Sequence, residues 1–128
     1  MKWLMPLILF FPIILLATVI HESGHAVAAI LLGGSVREIE ITSLYTGLAI
    51  VKIPDMSLAW VVLISGGLIQ AAFFLLISRR WQVYLVSSLG ALMYAIGEAT
   101  GLVVLMGLGM LFVLSVFAIL GVLCVLEV

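Results

Sequence analysis

Four long apolar stretches dominate this chain and leave little sequence for anything else. A helix needs about 20 mostly apolar residues to cross the roughly 30 Å of hydrocarbon in a bilayer. Of the 128 residues, 66% are hydrophobic and only 9% are charged, and the mean hydropathy is +1.50. Such a chain cannot cover a soluble domain with polar surface. The sequence therefore predicts a multi-pass integral membrane protein whose main surroundings are the lipid bilayer.

The pattern within and between these stretches predicts a mainly α-helical fold with one small sheet. After the first stretch, Ile39 and Ile41 alternate with Glu38 and Glu40, a period of two that is typical of a β-strand. We therefore predict a membrane-associated β-hairpin between the first two of about four transmembrane helices, and we treat residues 1–128 as a single domain. The predicted helices lie at about residues 3–32, 56–78, 81–100 and 102–126, and the predicted hairpin at about residues 35–54.

The charged residues are few and nearly balanced. The net charge is −1, and the five lysines and arginines form no basic stripe that could neutralise phosphates. This excludes nucleic acid as an expected partner. On the predicted helix order, Lys2, Arg79 and Arg80 lie on one side of the membrane, and Arg37 and Lys52 lie on the other. The difference is too small to orient the chain by the positive-inside rule.

The pentad His21-Glu22-Ser23-Gly24-His25 carries the strongest chemical signal. Histidines four residues apart lie on one face of a helix and can bind one metal ion. Glu22 lies beside that face, where its carboxylate can take a proton from a water acidified by the metal and pass it to a leaving amine. Two imidazoles and one carboxylate are typical of a catalytic zinc site. We therefore predict one Zn²⁺ per chain, with His21 and His25 as ligands and Glu22 as the catalytic base.

The alternative is that these polar residues share this spacing by chance, or only pair with one another to stabilise the bundle. The pentad lies inside an apolar stretch, where an ionisable group costs roughly 2.5–3.5 kcal/mol on insertion scales. Residues retained at that cost usually mark a functional site. The position of the pentad therefore favours metal binding.

A third ligand must come from another part of the chain. With a rise of about 1.5 Å per residue, the histidines lie roughly 10–17 Å below the Leu32 end of the first helix. The third predicted helix runs back towards that end and places Glu98 about 25 Å from Trp81, at a similar depth. We therefore predict Glu98 as the third ligand, unless it only caps a helix break that faces water. Asp55, at the water boundary, is the alternative ligand. The remaining carboxylates are Glu38, Glu40 and Glu127.

The second predicted helix offers Ser65-Gly66-Gly67 and, one turn later, Gln70. Paired glycines allow membrane helices to approach closely, which is a purely structural explanation. The functional alternative is that Gly66 and Gln70 bind substrate, with Gln70 donating a hydrogen bond to the substrate or to the developing oxyanion. Tyr94 precedes Glu98 by one helical turn and either steadies that carboxylate or packs.

These residues resemble the site-2 protease family of intramembrane zinc metalloproteases, in which a His-Glu-x-x-His helix lies within the membrane. The segment 34–41 resembles the start of the hairpin that follows that helix in the family. Gly66-Gly67-Leu68-Ile69-Gln70 is similar to the family's Gly-x-x-x-Asn stretch, with Gln70 in the place of Asn. The family's usual third ligand is an Asp in an Asn-Pro-x-x-Asp-Gly stretch, which this chain lacks. Glu98 would take its place.

The resemblance implies a zinc-dependent endopeptidase that hydrolyses a peptide bond within or near a transmembrane segment of a membrane protein. It further implies a location in the plasma membrane with the hairpin on the cytoplasmic side. No segment is left for a PDZ or CBS domain, so we expect a small, minimal member, and no residue identifies a regulatory partner. The alternatives are a membrane carrier or sensor for metal ions, and a catalytically inactive membrane scaffold.

Overall fold

The computed structural model describes residues 2–127 and confirms the predicted fold class of membrane-length helices with a two-stranded hairpin between the first two. Two of the helices, α3 and α4, are each entered through a 3-10 turn, at Met56–Leu58 and Gln82–Tyr84. The regular elements are α1 (Leu4–Ile8), α2 (Phe10–Leu31), β1 (Ser35–Ile41), β2 (Gly47–Lys52), α3 (Ala59–Ser78), α4 (Leu85–Thr100) and α5 (Val103–Leu126).

Within residues 2–127, four segments are long and apolar enough to cross a membrane. The break between the last two falls at Gly101, whose φ of 76° is readily adopted only by glycine, as the sequence predicted for this region. Together with the low charge, these spans make the chain a multi-pass membrane protein. The candidate spans are Phe10–Leu31, Met56–Ser78, Gln82–Thr100 and Val103–Leu126.

The first helix differs from the single helix predicted at residues 3–32, because it is divided at Leu9 into α1 and α2. Pro12 explains the division. A proline has no amide hydrogen to donate to the carbonyl four residues earlier, here that of Ile8, and its ring clashes with that carbonyl. Proline is tolerated in the first turn of a helix, where amides lack helical partners, so a new helix can begin just before Pro12.

The hairpin folds back along α2 instead of standing away from the membrane. The α2 helix ends at Leu31, the chain turns at Gly33, whose φ is 81°, and the amide of Gly34 donates to the carbonyl of Ala29 at 2.8 Å. The strands β1 and β2 then pair antiparallel, with a bulge between Val36 and Glu38. At the tip of the hairpin, the Thr18 hydroxyl donates to the Leu44 carbonyl at 2.9 Å. The hairpin therefore reaches the middle of α2.

The long helices α2 to α5 each pack against the next one along the chain. One closely packed core lies at the end of the bundle where α2 begins, and its largest enclosed side chains are Tyr84, Phe74 and Ile14. Towards the opposite end, α2 is covered by the hairpin on one side and by α3 on another. The His-Glu pentad lies in this second half, enclosed between the hairpin and the helices.

Candidate metal centre

His21 and His25 lie on the α2 face that packs against α3, and both imidazole rings are buried. The Nδ1 atom of His25 is 2.7 Å from the Val62 carbonyl oxygen, which can only accept a hydrogen bond. That nitrogen must therefore carry the proton of the neutral ring. The remaining nitrogen, Nε2, presents a lone pair to the interior of the site.

Gln70 orients the other imidazole in the same way. Its Nε2 group donates to the Ala17 carbonyl at 3.3 Å, which fixes the amide so that Oε1 faces His21 Nδ1 at 3.2 Å. His21 Nδ1 then donates to this oxygen, and its Nε2 also presents a lone pair. The two Nε2 atoms are 3.0 Å apart. Two hydrogen-bond acceptors on α3 therefore orient both imidazole rings so that their Nε2 atoms face the same point.

The α4 helix brings Glu98 to that point. Its Oε1 lies 3.2 Å from His21 Nε2, and its Oε2 lies 3.3 Å from His25 Nε2. Oε1 is buried and accepts no hydrogen bond from any described residue, despite its short distance to His21. This agrees with the tautomers above, because a nitrogen that carries a lone pair has no proton to donate.

The three side chains fit a zinc ion. Ligand atoms from His21, His25 and Glu98 all lie within 4.8 Å of one another. Zinc bonds of about 2.0–2.1 Å in a tetrahedron separate neighbouring ligand atoms by about 3.3 Å. The two Nε2 atoms here are 3.0 Å apart, and each faces a different oxygen of the Glu98 carboxylate, at 3.2 Å for Oε1 and 3.3 Å for Oε2. Three lone pairs that converge in a buried site without a shared proton repel one another unless a cation lies between them.

Glu22 is buried beside these side chains, and no described residue forms a hydrogen bond or ion pair with its carboxylate. A Cβ on Gly47 would lie 2.8 Å from the Glu22 Cγ atom, so only glycine allows the hairpin to approach so closely. Two cavities adjoin Glu22, a polar one of about 130 Å³ towards the hairpin tip and a larger one of about 230 Å³ beside Glu98. Water and a substrate chain therefore have space next to this carboxylate.

The other carboxylates lie outside this centre. Glu38 and Glu40 are exposed on β1, and Glu127 Oε2 is 3.4 Å from the backbone nitrogen of Trp3. Asp55 accepts hydrogen bonds from the backbone and hydroxyl of Ser57, and these bonds hold the pKa of its exposed carboxyl below the usual value. The structure thus gives Asp55 the role of a cap on the turn before α3.

Gly66 and Gln70 have clear structural roles, while their predicted part in substrate binding stays a prediction. A Cβ on Gly66 would lie 2.6 Å from His25 Cε1, so this glycine makes room for the imidazole. Gln70 borders the polar cavity, yet both ends of its amide contact protein atoms. The sequence analysis missed the carbonyls of Val62 and Ala17, because backbone acceptors leave no mark in a sequence.

A comparison with models of known protein families shows which family this chain belongs to. The family model described as Peptidase M50B-like matches residues 2–127, which is nearly the whole chain. The chain belongs to this family. The match over both the pentad and the later helices confirms the resemblance to site-2 proteases and identifies a membrane metalloprotease type at family level. No curated protein and no solved structure matches the chain significantly.

Membership of the Peptidase M50B-like family gives the converging side chains a chemical context. Their centre lies between helices α2 and α4, whose ligands His25 and Glu98 are 73 residues apart along the chain, and a hairpin covers it. No fourth protein ligand joins the three in the described part of the chain, and the single cysteine, Cys124, lies in α5. Among the described residues, three protein ligand groups and an adjacent cavity match the open pattern of a catalytic site rather than a structural one.

Proposed function

We propose that this protein is an intramembrane zinc endopeptidase, with His21, His25 and Glu98 as the ligands of one Zn²⁺ and Glu22 as the catalytic base. One observation carries the proposal. Three buried ligand atoms converge beside a carboxylate that has no protein partner among the described residues and that borders two cavities. A metal-binding scaffold without catalysis would need the three ligands, but it would not need Glu22.

When bound, the zinc ion would polarise the scissile carbonyl and lower the pKa of water. Glu22 accepts a proton from the attacking water as the water oxygen bonds to the carbonyl carbon. Glu22 then donates that proton to the amide nitrogen as the carbon–nitrogen bond breaks. The products are one new carboxyl group and one new amine, and Glu22 returns to its starting state without a covalent intermediate.

The proposed substrate is an extended segment of a membrane protein, unwound from its transmembrane helix. The strand β2 pairs with β1 along one edge. Residues of β2 line the larger cavity, and its other edge therefore lies beside the metal centre. A free strand edge binds an extended chain through backbone hydrogen bonds. The β2 residues at this cavity are Gly47, Leu48, Ala49 and Val51.

This mode of substrate binding is testable with peptides methylated on single backbone nitrogens. Methylation removes one donor without changing the side chains. We expect KM to rise several-fold for methylation at alternate positions near the cleaved bond, because only every second amide of a strand faces its neighbour. An equal effect at all positions, or none, would contradict pairing with β2.

The proposed location is the plasma membrane, with the hairpin on the cytoplasmic side. The four apolar spans support insertion in a bilayer, and the direction follows the site-2 protease resemblance. The proposed partner is the membrane protein substrate itself. The hairpin is the part of the described chain that would contact it first, since it covers the metal centre.

The proposed activity is tested with detergent-purified protein, loaded with zinc, and a library of quenched-fluorescence peptides. We expect Glu22→Gln to lower kcat by about 10²-fold to 10⁴-fold, because it removes the general base, and to keep the zinc content of the parent. Cleavage by this variant at the parental rate would sink the mechanism. Zinc binding without cleavage in parent and variant alike would favour the carrier or sensor, and a parent without zinc would favour the scaffold.

A further inference from the structure

Tyr94 lines both of the cavities beside the candidate metal centre. It lies on α4, one turn before Glu98, and its ring packs edge to face against His21 with the ring centroids 5.4 Å apart. Tyr94 borders both the polar and the larger cavity, and so do His21, Glu22 and Gly47. A substrate that occupied both cavities would therefore contact Tyr94 and Glu22 together.

The hydroxyl of Tyr94 has no protein partner within residues 2–127. It neither donates to nor accepts from any described group, and Tyr94 is a partly buried residue that lines both cavities. Tyr84 provides a contrast. That ring is fully buried, and its hydroxyl donates to the Pro6 carbonyl at 3.2 Å. A tyrosine hydroxyl in an apolar bundle normally has such a partner.

Gln70 is another side chain able to donate a hydrogen bond to a substrate carbonyl, whereas Tyr45 and Thr46 line the polar cavity but not the larger one beside Glu98. The amide donor of Gln70 is already used by the Ala17 carbonyl, and its oxygen accepts from His21. If Gln70 turned towards a substrate, the Nδ1–H of His21 would lose its acceptor inside the site. Tyr94 can donate without breaking any contact.

We propose that Tyr94 is a catalytic residue that donates its hydroxyl hydrogen to the oxygen of the scissile carbonyl. The inference rests on the proposed peptidase function. As water adds to the carbonyl carbon, negative charge develops on that oxygen, and a fixed donor in a water-poor site stabilises it more than it stabilises the substrate. The hydrogen stays on Tyr94 throughout, so the proton transfers of Glu22 are unchanged.

The test compares Tyr94→Phe with the parent and with Tyr84→Phe in the purified, zinc-loaded protein. For Tyr94→Phe we expect kcat to fall about 10-fold to 10²-fold, near the lower end for an oxyanion donor because the metal shares the charge. We expect KM, zinc content and Tm to stay at parental values. For Tyr84→Phe, which removes a buried hydrogen bond outside the site, we expect a lower Tm and the parental kcat.

A binding experiment separates this role from a structural one. A phosphinic peptide carries a tetrahedral anion that resembles the transition state. We expect its affinity for Tyr94→Phe to fall by the same factor as kcat/KM, while an uncleaved peptide binds equally to Glu22→Gln and to the double variant with Tyr94→Phe. Unchanged kcat and phosphinic peptide affinity in an active parent would overturn the role of Tyr94 alone. An inactive, zinc-loaded parent would overturn the peptidase function together with it.

Discussion

The tautomer of each histidine is decided by an acceptor on α3. Val62 supplies a backbone carbonyl for His25, and Gln70 supplies an amide oxygen for His21. Such partners fix the ring orientation of metal-binding histidines and raise their basicity. Ser-Gly-Gly and Gln70 could be found in the sequence, but their roles could not, because a spacing does not tell whether a side chain faces a substrate or another residue.

Gln70→Leu tests this orienting role. The substitution removes the acceptor for His21 Nδ1 and leaves that group unpaired in the site, so we expect zinc affinity to fall about 10-fold to 100-fold. Titration of the loaded protein with a chelator measures the affinity. Gln70→Glu keeps an acceptor for His21, and we expect it to bind zinc more tightly than Gln70→Leu. Equal affinities for parent, Leu and Glu variants would exclude the orienting role.

The close packing of α2 against α3 positions the candidate metal centre. Gly24 and Gly66 meet there, and a Cβ on Gly24 would lie 2.9 Å from the Gly66 Cα atom. The glycine pair at 66–67 predicted a close helix contact, as membrane helices often use. The sequence could not reveal that His25 fills the space on the other side of Gly66.

Gly66→Ala should disturb both packing and metal binding. The added methyl group would lie 2.7 Å from His25 Nε2, and overpacking of this kind typically costs about 1–3 kcal/mol. We expect a lower Tm and reduced zinc content. Gly107→Ala is the matched control, because a Cβ there meets nothing within 4 Å. If both variants behaved alike, the contact would have no special role.

The hairpin is held to α2 by Thr18, whose single hydroxyl hydrogen is shared between the Leu44 carbonyl at 2.9 Å and the Ile14 carbonyl at 3.0 Å. Thr18→Val should release the hairpin tip at a cost of about 0.5–1.5 kcal/mol, and hydrogen exchange of the tip amides at residues 42–46 should accelerate. Thr100→Val is the control, because that hydroxyl donates only to the Ile96 carbonyl within its own helix. Unchanged exchange in Thr18→Val would contradict the anchoring role.

Glycine and proline have strong local effects on the backbone, and they mark most of the helix boundaries in this chain. The stop of α2 just before Gly33 and the break at Gly101 were predictable, because both glycines adopt positive φ. The division at Leu9 was missed, although Pro12 signals it. The descent of the hairpin to Thr18 was not predictable, since it depends on a contact between residues 26 positions apart.

An even number of spans places the two described ends of the whole molecule on the same side of the membrane. The backbone nitrogen of Trp3 is 3.4 Å from Glu127 Oε2. In a Cys124→Ser background, we expect Lys2→Cys and Glu127→Cys to react with an impermeant maleimide from one side, and Lys52→Cys from the other. Labelling of all three from the same side would contradict the four-span topology.

Helix lengths predict that Glu98 lies at the depth of the histidines, and the structure places the three side chains together. Helix rise is nearly constant, so depth along a span can be estimated from sequence. The rotation of α4 about its own axis cannot be estimated in this way. That rotation also places Tyr94 at the cavities.

The zinc content of the purified protein shows whether His21, His25 and Glu98 together bind a zinc ion. Elemental analysis would compare the parent with His25→Ala, Glu98→Ala and Asp55→Ala after matched purification. We expect about one zinc per chain in the parent and in Asp55→Ala, because Asp55 only caps a turn, and we expect zinc to be lost in the other two. A parent without zinc after reconstitution, or full zinc retention in Glu98→Ala, would contradict the three-ligand centre.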